Sequence, residues 1–403
     1  MKRKEFATRR KAMGLSQEKL AEAIGADVSS VRRWERGDCE PQPWFRPRLA
    51  HALKISLGEL AVLMAAPAPL DASDGQTRLA VGPVDAAVSL KGAELMPRPN
   101  WHPQMLDQYE TLTNSFRHLD YRAGSGSVYT EAVIQLNRML LLADEVPPGL
   151  YQRFIAALGD TAQLTAWLAI DQQNYVAARQ YAALALSCAQ EAEDPTLHAY
   201  VLGVMSYLHL HAERGPDAVR LLAAALRLAD NPRLGVSPSV RSWLCEAIAE
   251  AYALTGDMTA GAAFLLQAEQ HFDRTAGDEA PSWLGFFNSA VHVTRLKGRC
   301  LVKLGDGHAA TTELNQALDG LPPHYVRERS GTLIDLAAAW LLPGAHSERA
   351  ADPESAALAA YDAWNLGVRT GSGRNQRRIR RLLPKFAPYR QLPEVQSLQA
   401  AVL

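Results

Sequence analysis

Apolar residues in the first part of the chain fall at helical spacing. In SQEKLAEAIGADVSSVRRWERG, residues 16–37, Leu20, Ala23 and Ile24 share one face, and Val31 and Trp34 recur at i, i+3, where helix neighbours meet. The Ser16 hydroxyl is placed to accept an orphan backbone N–H of the first helix, Gly25 ends that helix, and Asp27 is placed to cap the second. Two short helices joined by a tight turn are predicted, with Val28, Ser29, Arg32 and Arg33 on the outer faces of the second.

The pattern then changes twice. Ala65 to Asn100 contains APAPLDASDG, VGPVDAAV and MPRPN, rich in Pro, Gly and small residues without helical periodicity. It reads as a linker, with a short ordered piece around Leu79 to Leu95. From Trp101 onward, Ala- and Leu-rich helical stretches are broken roughly every 15 to 25 residues by Gly, Asp or Pro, punctuation that suggests helical hairpins. Four stretches overlay: QNYVAARQYAALAL from Gln173, RGPDAVRLLAAALRL from Arg214, TGDMTAGAAFLLQAE from Thr255 and LGDGHAATTELNQAL from Leu304. Ala178, Ala218, Gly261 and Ala310 then occupy one position, Ala182, Leu222, Leu265 and Leu314 a second, and Ala185, Ala225, Ala268 and Ala317 a third. Small residues recur where two helices approach closely. The expected organisation is all-α, with domains at 1–64 and 101–403 joined by the linker 65–100.

Charge sharpens the division. Residues 1–60 hold thirteen Lys or Arg against eight Asp or Glu, in a chain of 403 residues with net charge −1. A basic headpiece on a mildly acidic body favours DNA through one end only. The four cysteines, Cys39, Cys188, Cys245 and Cys300, are widely spaced without CxxC pairing, so neither a zinc site nor a disulfide framework is expected. No apolar run approaches the ~18 residues needed to span a bilayer, and the MKRKEF start lacks the apolar region of a secretion signal. A cytoplasmic protein without cofactor or metal is expected.

The stretch from about residue 5 to 64 resembles the helix-turn-helix of the Cro and phage-repressor type, the XRE family. Arg9, Arg10, GLSQEKLAEAIG, VSSVRRWERG and LAHALKISLGEL stand in family order. The resemblance implies that Arg10 and Gln17 touch phosphates or the edge of the DNA site, and that Val28, Ser29 and Arg32 face bases. Arg33, a further 100° round the helix, would reach phosphate, and Arg36 completes the set. The chemistry agrees: Arg offers a forked donor to guanine, Ser donates or accepts, and Val meets a thymine methyl. The CEPQPW run at Cys39 to Trp44 departs from the usual pattern, with Asp38 and Glu40 where the family often has basic residues. The alternative is a helical protein-binding module that never meets nucleic acid.

The later hairpins resemble the tetratricopeptide repeat, in which helix pairs of about 34 residues stack because neither helix buries its apolar face alone. Here the shared position advances by 40, 43 and 49 residues, so loops or helices are longer than the consensus. Pro103 to Tyr121 with Ser127 to Ala143, and Arg327 to Leu342 with Pro353 to Thr370, extend the stack to about 5 to 7 pairs. The resemblance implies a concave surface lined by Trp167, by Tyr200, Tyr207 and His211, by Trp243, Glu246 and Glu250, and by His292, Arg295, Arg299 and Lys303. His292, Arg295 and Arg299 form a basic stripe at i, i+3 and i+7. The stripe suits a carboxylate or other anion, or it is a solvated face with acidic neighbours.

HLHAE places His209 and His211 on different helix faces, which makes no metal site alone. HExxH, GxSxG and a phosphate-binding glycine loop are all missing from the chain, so no catalysis is expected. The segment Arg369 to Arg390 holds eight Lys or Arg and no acidic residue. It suits DNA, an acidic partner, another subunit or a solvated helix cap. The expected function is a sequence-specific, homodimeric DNA-binding regulator whose repeats sense a peptide or small molecule. The alternative is a DNA-binding adaptor whose repeats recruit a protein partner.

Overall fold

The computed structural model describes residues 4–36, 41, 45–55, 60, 64, 101–275, 280–281, 283–287, 289–342 and 351–403. The linker 65–100 and most of the loop 37–44 lie outside them. Every regular element among the described residues is helical, so the fold is all-α. The chain divides into two compact units, Met1–Asn100 and Trp101–Leu403.

The first unit contains α1 (Lys4–Ala12), α2 (Gln17–Ile24), α3 (Val28–Arg36) and α4 (Phe45–Leu53). Ser16 Oγ accepts the Lys19 N–H at 3.1 Å. Gly25 ends α2 in the left-handed region at φ 68°, where its missing Cβ avoids strain, and the Ala26 amide returns to the Ala21 carbonyl. Leu20, Ala21 and Ile24 from α2 meet Val31 and Trp34 from α3 and Leu49 and Leu53 from α4 in one core with Phe6. The buried small residue of α2 is Ala21, and Ala23 is exposed, because the helix is rotated to seat Leu20 and Ile24 centrally. Phe45 closes the core against Trp34, ring centroids 5.3 Å apart.

The second unit is a repeat-like array of helical hairpins. It runs α5 (Pro103–Ala123), α6 (Tyr129–Leu142), α7 (Pro148–Asp171), α8 (Tyr175–Glu191), α9 (Pro195–Leu210), α10 (Gly215–Ala229), α11 (Pro238–Thr255) and α12 (Met258–Asp273). It continues with α13 (Ala290–Leu304), α14 (Gly307–Gly320), α15 (Val326–Trp340), α16 (Pro353–Arg369), α17 (Gly373–Leu382) and α18 (Pro393–Val402). Asn174, Asp194, Asp257, Asp306 and Asp352 each cap a helix by accepting a backbone N–H three residues on, which explains the Asp and Asn punctuation. The overlaid small positions Ala178, Ala218, Gly261 and Ala310, and Ala185, Ala225, Ala268 and Ala317, are all buried in α8, α10, α12 and α14.

The first helices of the hairpins touch in succession, α7 to α9 to α11 to α13 to α15, and α15 returns to α5, which itself packs on α7. The inner layer therefore closes on itself. Gly124, at φ 87°, sits where a Cβ would lie 2.0 Å from the Thr370 carbonyl oxygen, so only glycine admits this contact between the two ends of the array. At Gly203 a Cβ would come within 2.3 Å of the Trp243 ring, which lets the indole lie flat against α9.

Candidate functional site

Helix α3 is held by its inner face. Val31 and Trp34 are buried, Val28 is half-buried against the same core, and Ser29, Arg32, Arg33 and Arg36 are exposed. A rigid helix offering hydroxyl and guanidinium groups outward fits the DNA major groove, where such groups hydrogen-bond base edges and phosphates. Arg32 Nε donates to Gln17 Oε1 at 3.2 Å and its Nη2 lies 3.1 Å from Glu18 Oε1. An exposed pair of this kind is weak, so it parks the guanidinium without consuming it. The backbone amide and hydroxyl at the α2 cap, together with Arg32, hold Glu18 below the usual carboxylate range.

Arg10 requires a correction. Its Nε donates to Glu35 Oε1 at 2.6 Å and its Nη1 to the Leu15 carbonyl at 2.6 Å, and its side chain is 7 % exposed. It joins α1 to α3 and is not presented to a phosphate. Gln17 is also engaged at both ends of its amide, donating to Glu35 Oε2 at 2.5 Å while accepting from Arg32. Arg9 caps α4 through the Leu53 and Lys54 carbonyls. These roles escape a sequence reading because an internal and an external arginine carry the same letter.

Residues 6–60 match the helix-turn-helix family model. The N-terminal unit is thus a DNA-binding helix-turn-helix of the kind used in transcription regulation. A comparison with curated proteins finds no match.

The repeat unit places Trp167, Tyr200, Tyr207, Trp243, Glu246, Glu250, His292, Arg295 and Arg299 on the inner side of its helices, but the space between them is filled. Trp283 and Phe287, from the connection between α12 and α13, insert among the rings: Trp283 lies 4.4 Å from Tyr200, and Phe287 lies 5.4 Å from Trp167 and 4.9 Å from His292. Trp243 is wholly buried and stacks with Tyr207 at 6.0 Å. The open aromatic groove is therefore corrected to a packed aromatic interior. The longest repeat step, 49 residues, contains this connection, and it was the available signal.

The basic stripe has the acidic neighbours of the second reading, but it is buried and not solvated. Arg295 Nη1 meets Glu328 at 3.2 Å, and Arg299 Nε donates to Asp335 at 2.9 Å and approaches Glu250 at 3.4 Å, while Lys303 meets Glu250 at 3.0 Å. His292 Nδ1 faces Arg295 Nη2 at 3.0 Å. Since arginine only donates, Nδ1 is the acceptor, and Nε2 lies 3.0 Å from Glu246 Oε2. Burial lowers the His292 pKa, opposed by Glu246. Burial pushes the Glu250 carboxyl up, but Lys303 and Arg299 overcome this and hold it well below its usual range.

The arginines of α17 pack on the same interior. Arg374 lies 3.1 Å from Asp171 and over the Trp167 ring, Arg378 bonds Asp335, and Arg381 reaches Glu213 at 2.6 Å. The Arg-rich segment is thus largely spent inside its own unit. TGSGRN is the turn into α17, where Ser372 Oγ accepts the Asn375 amide and donates to Asp171. No helix of the described residues is long and apolar enough to cross a membrane.

Proposed function

We propose that the protein is a sequence-specific transcription regulator that acts by binding and not by catalysis. Its repeats, of tetratricopeptide type, form the dimer surface and sense a peptide or small-molecule signal in the cytoplasm. The observation that carries the DNA reading is the exposed Ser29, Arg32, Arg33 and Arg36 face on a helix fixed by Val31 and Trp34. One such headpiece makes few base contacts, whereas a dimer sets two recognition helices about 34 Å apart on one DNA face.

Fluorescence anisotropy on a duplex from the upstream region of its own gene and on a scrambled duplex, across a salt series, tests this. Selective binding with a steep salt slope supports the reading, and equal weak binding to both duplexes and to genome-selected fragments rejects it. The adaptor reading is favoured by the aromatic filling of the repeat interior, which leaves outer surfaces for a protein partner. A small ligand raises the melting temperature by mass action, and a scaffold responds only to macromolecular fractions.

A further inference from the structure

One space in the repeat interior is not filled. A cavity of about 150 Å³ lies between the ends of α9, α11 and α13 and the flank of α17. Arg299, Lys303, Arg374, Arg377, Arg378 and Arg381 line it. The facing carboxylates are Glu213, Glu250 and Asp335, with Asp171 behind Arg374. Two of these acids are shared: Glu250 serves Arg299 and Lys303, and Asp335 serves Arg299 and Arg378. Six cations thus converge on four carboxylates, and their N–H donors outnumber the acceptors further, because each guanidinium carries five.

Two further observations mark the cavity as unsatisfied. The His211 Nε2 atom on its wall is shut off from water and meets no hydrogen-bond partner among the described residues. Burial, together with the nearby Arg374, holds this histidine neutral. Burial also brings Arg378 down to about 10 against the pull of Asp335, with Arg299 and Arg374 adding like-charge repulsion. The mouth is solvent-facing, since Arg377, Arg381 and Glu213 are exposed.

We propose that this cavity is the effector site of the repeat unit and takes a small phosphate-bearing molecule, gripped by Arg299, Arg377, Arg378 and Arg381. This rests on the sensing reading above. A phosphate group offers only acceptors, matches the forked geometry of guanidinium, and carries the two negative charges that balance the surplus. A monocarboxylate leaves a cation uncompensated. A longer apolar peptide finds no room, because the aromatic interior beyond is packed.

The test uses the full-length protein and inorganic pyrophosphate, titrated calorimetrically at constant ionic strength with chloride as the balancing ion. Saturable binding of one pyrophosphate per chain is expected. The double variant Arg377→Ala/Arg381→Ala removes exposed side chains, so it should keep its melting temperature while its dissociation constant rises at least tenfold. Arg220→Ala, exposed on α10, serves as the charge control and should bind as the parent does. No saturable binding, or equal binding by the double variant, overturns the site.

Operator anisotropy on the same samples separates the two layers of the proposal. A change in operator affinity with pyrophosphate, lost in the double variant, supports the effector role. Pyrophosphate binding that leaves operator affinity untouched supports the anion site and overturns its role as effector. A double variant that loses operator affinity and salt slope without any pyrophosphate assigns these arginines to the DNA backbone and overturns the proposal.

Discussion

Arg10 and Arg32 carry the same charge in the same small unit, and burial alone divides their work. Arg10 is enclosed beside the half-buried Glu35, so Arg10→Ala leaves that carboxylate with Gln17 as its donor and should cost about 1.5–3 kcal/mol for the lost charge-assisted hydrogen bond. Full-length thermal unfolding should show the headpiece transition falling, with the repeat transition unmoved. Arg32 projects from α3 against an exposed Glu18, so Arg32→Ala should leave stability unchanged. It should weaken binding to the specific duplex by roughly 1–3 kcal/mol, and scrambled duplex far less. Equal losses on both DNAs would remove Arg32 from the base-reading set. The sequence named Arg32 correctly as a surface residue of the second helix, but the partner of Arg10 lies 25 positions away and no local pattern announces it.

At the scale of elements, caps and small-residue positions were the most legible features, because both depend on neighbours a few residues apart. The Ser16 cap and the buried small positions of α8, α10, α12 and α14 fall where the periodicity put them. The packing of α9 on α11 through Gly203 and Trp243 was not legible, since one glycine matters only against the indole that crosses it. Gly203→Ala overfills this contact and should lower stability by about 1–3 kcal/mol, read from denaturant midpoints at unchanged slope. His292 on α13 adds a pH dependence. Its folded-state pKa lies below the ordinary 6.5, so the unfolded chain takes the proton first. The stabilisation is complete above about pH 6.5 and is lost as pH falls toward the depressed folded value, by up to ~1.4 kcal/mol per pH unit. Melting temperatures from pH 8 to 5 should decline below pH 6.5, and His292→Gln should flatten that part of the curve.

At the scale of the repeat unit, closure is the property that decides what the interior can do. Arg327, wholly buried on α15, bonds both Asp120 on α5 and Glu328 beside it. Asn375 of α17 donates to the Arg327 carbonyl. Arg327→Met should loosen the junction between first and last hairpins and leave Asp120 as an uncompensated buried charge, while Glu328 keeps Arg295. A loss of about 3–5 kcal/mol follows. Hydrogen exchange should rise first in α5 and α15, while the headpiece keeps its protection; unchanged exchange in α5 would show that the clamp is not what holds the ends together.

The sequence by itself determined the helical elements, the outward face of α3 and the repeat of small residues, because each is written within a turn or two of helix. Tertiary structure decided which charges remain outward. The resemblance to a helical repeat put the inner aromatics and the basic stripe of α13 on the inner side, yet whether that side is open depended on segments far along the chain. Trp283 and Phe287 fill it from the α12 to α13 connection, and the arginines of α17 fill it after two more hairpins. Helical period fixes which side a residue faces, and only the folded chain fixes what it meets there.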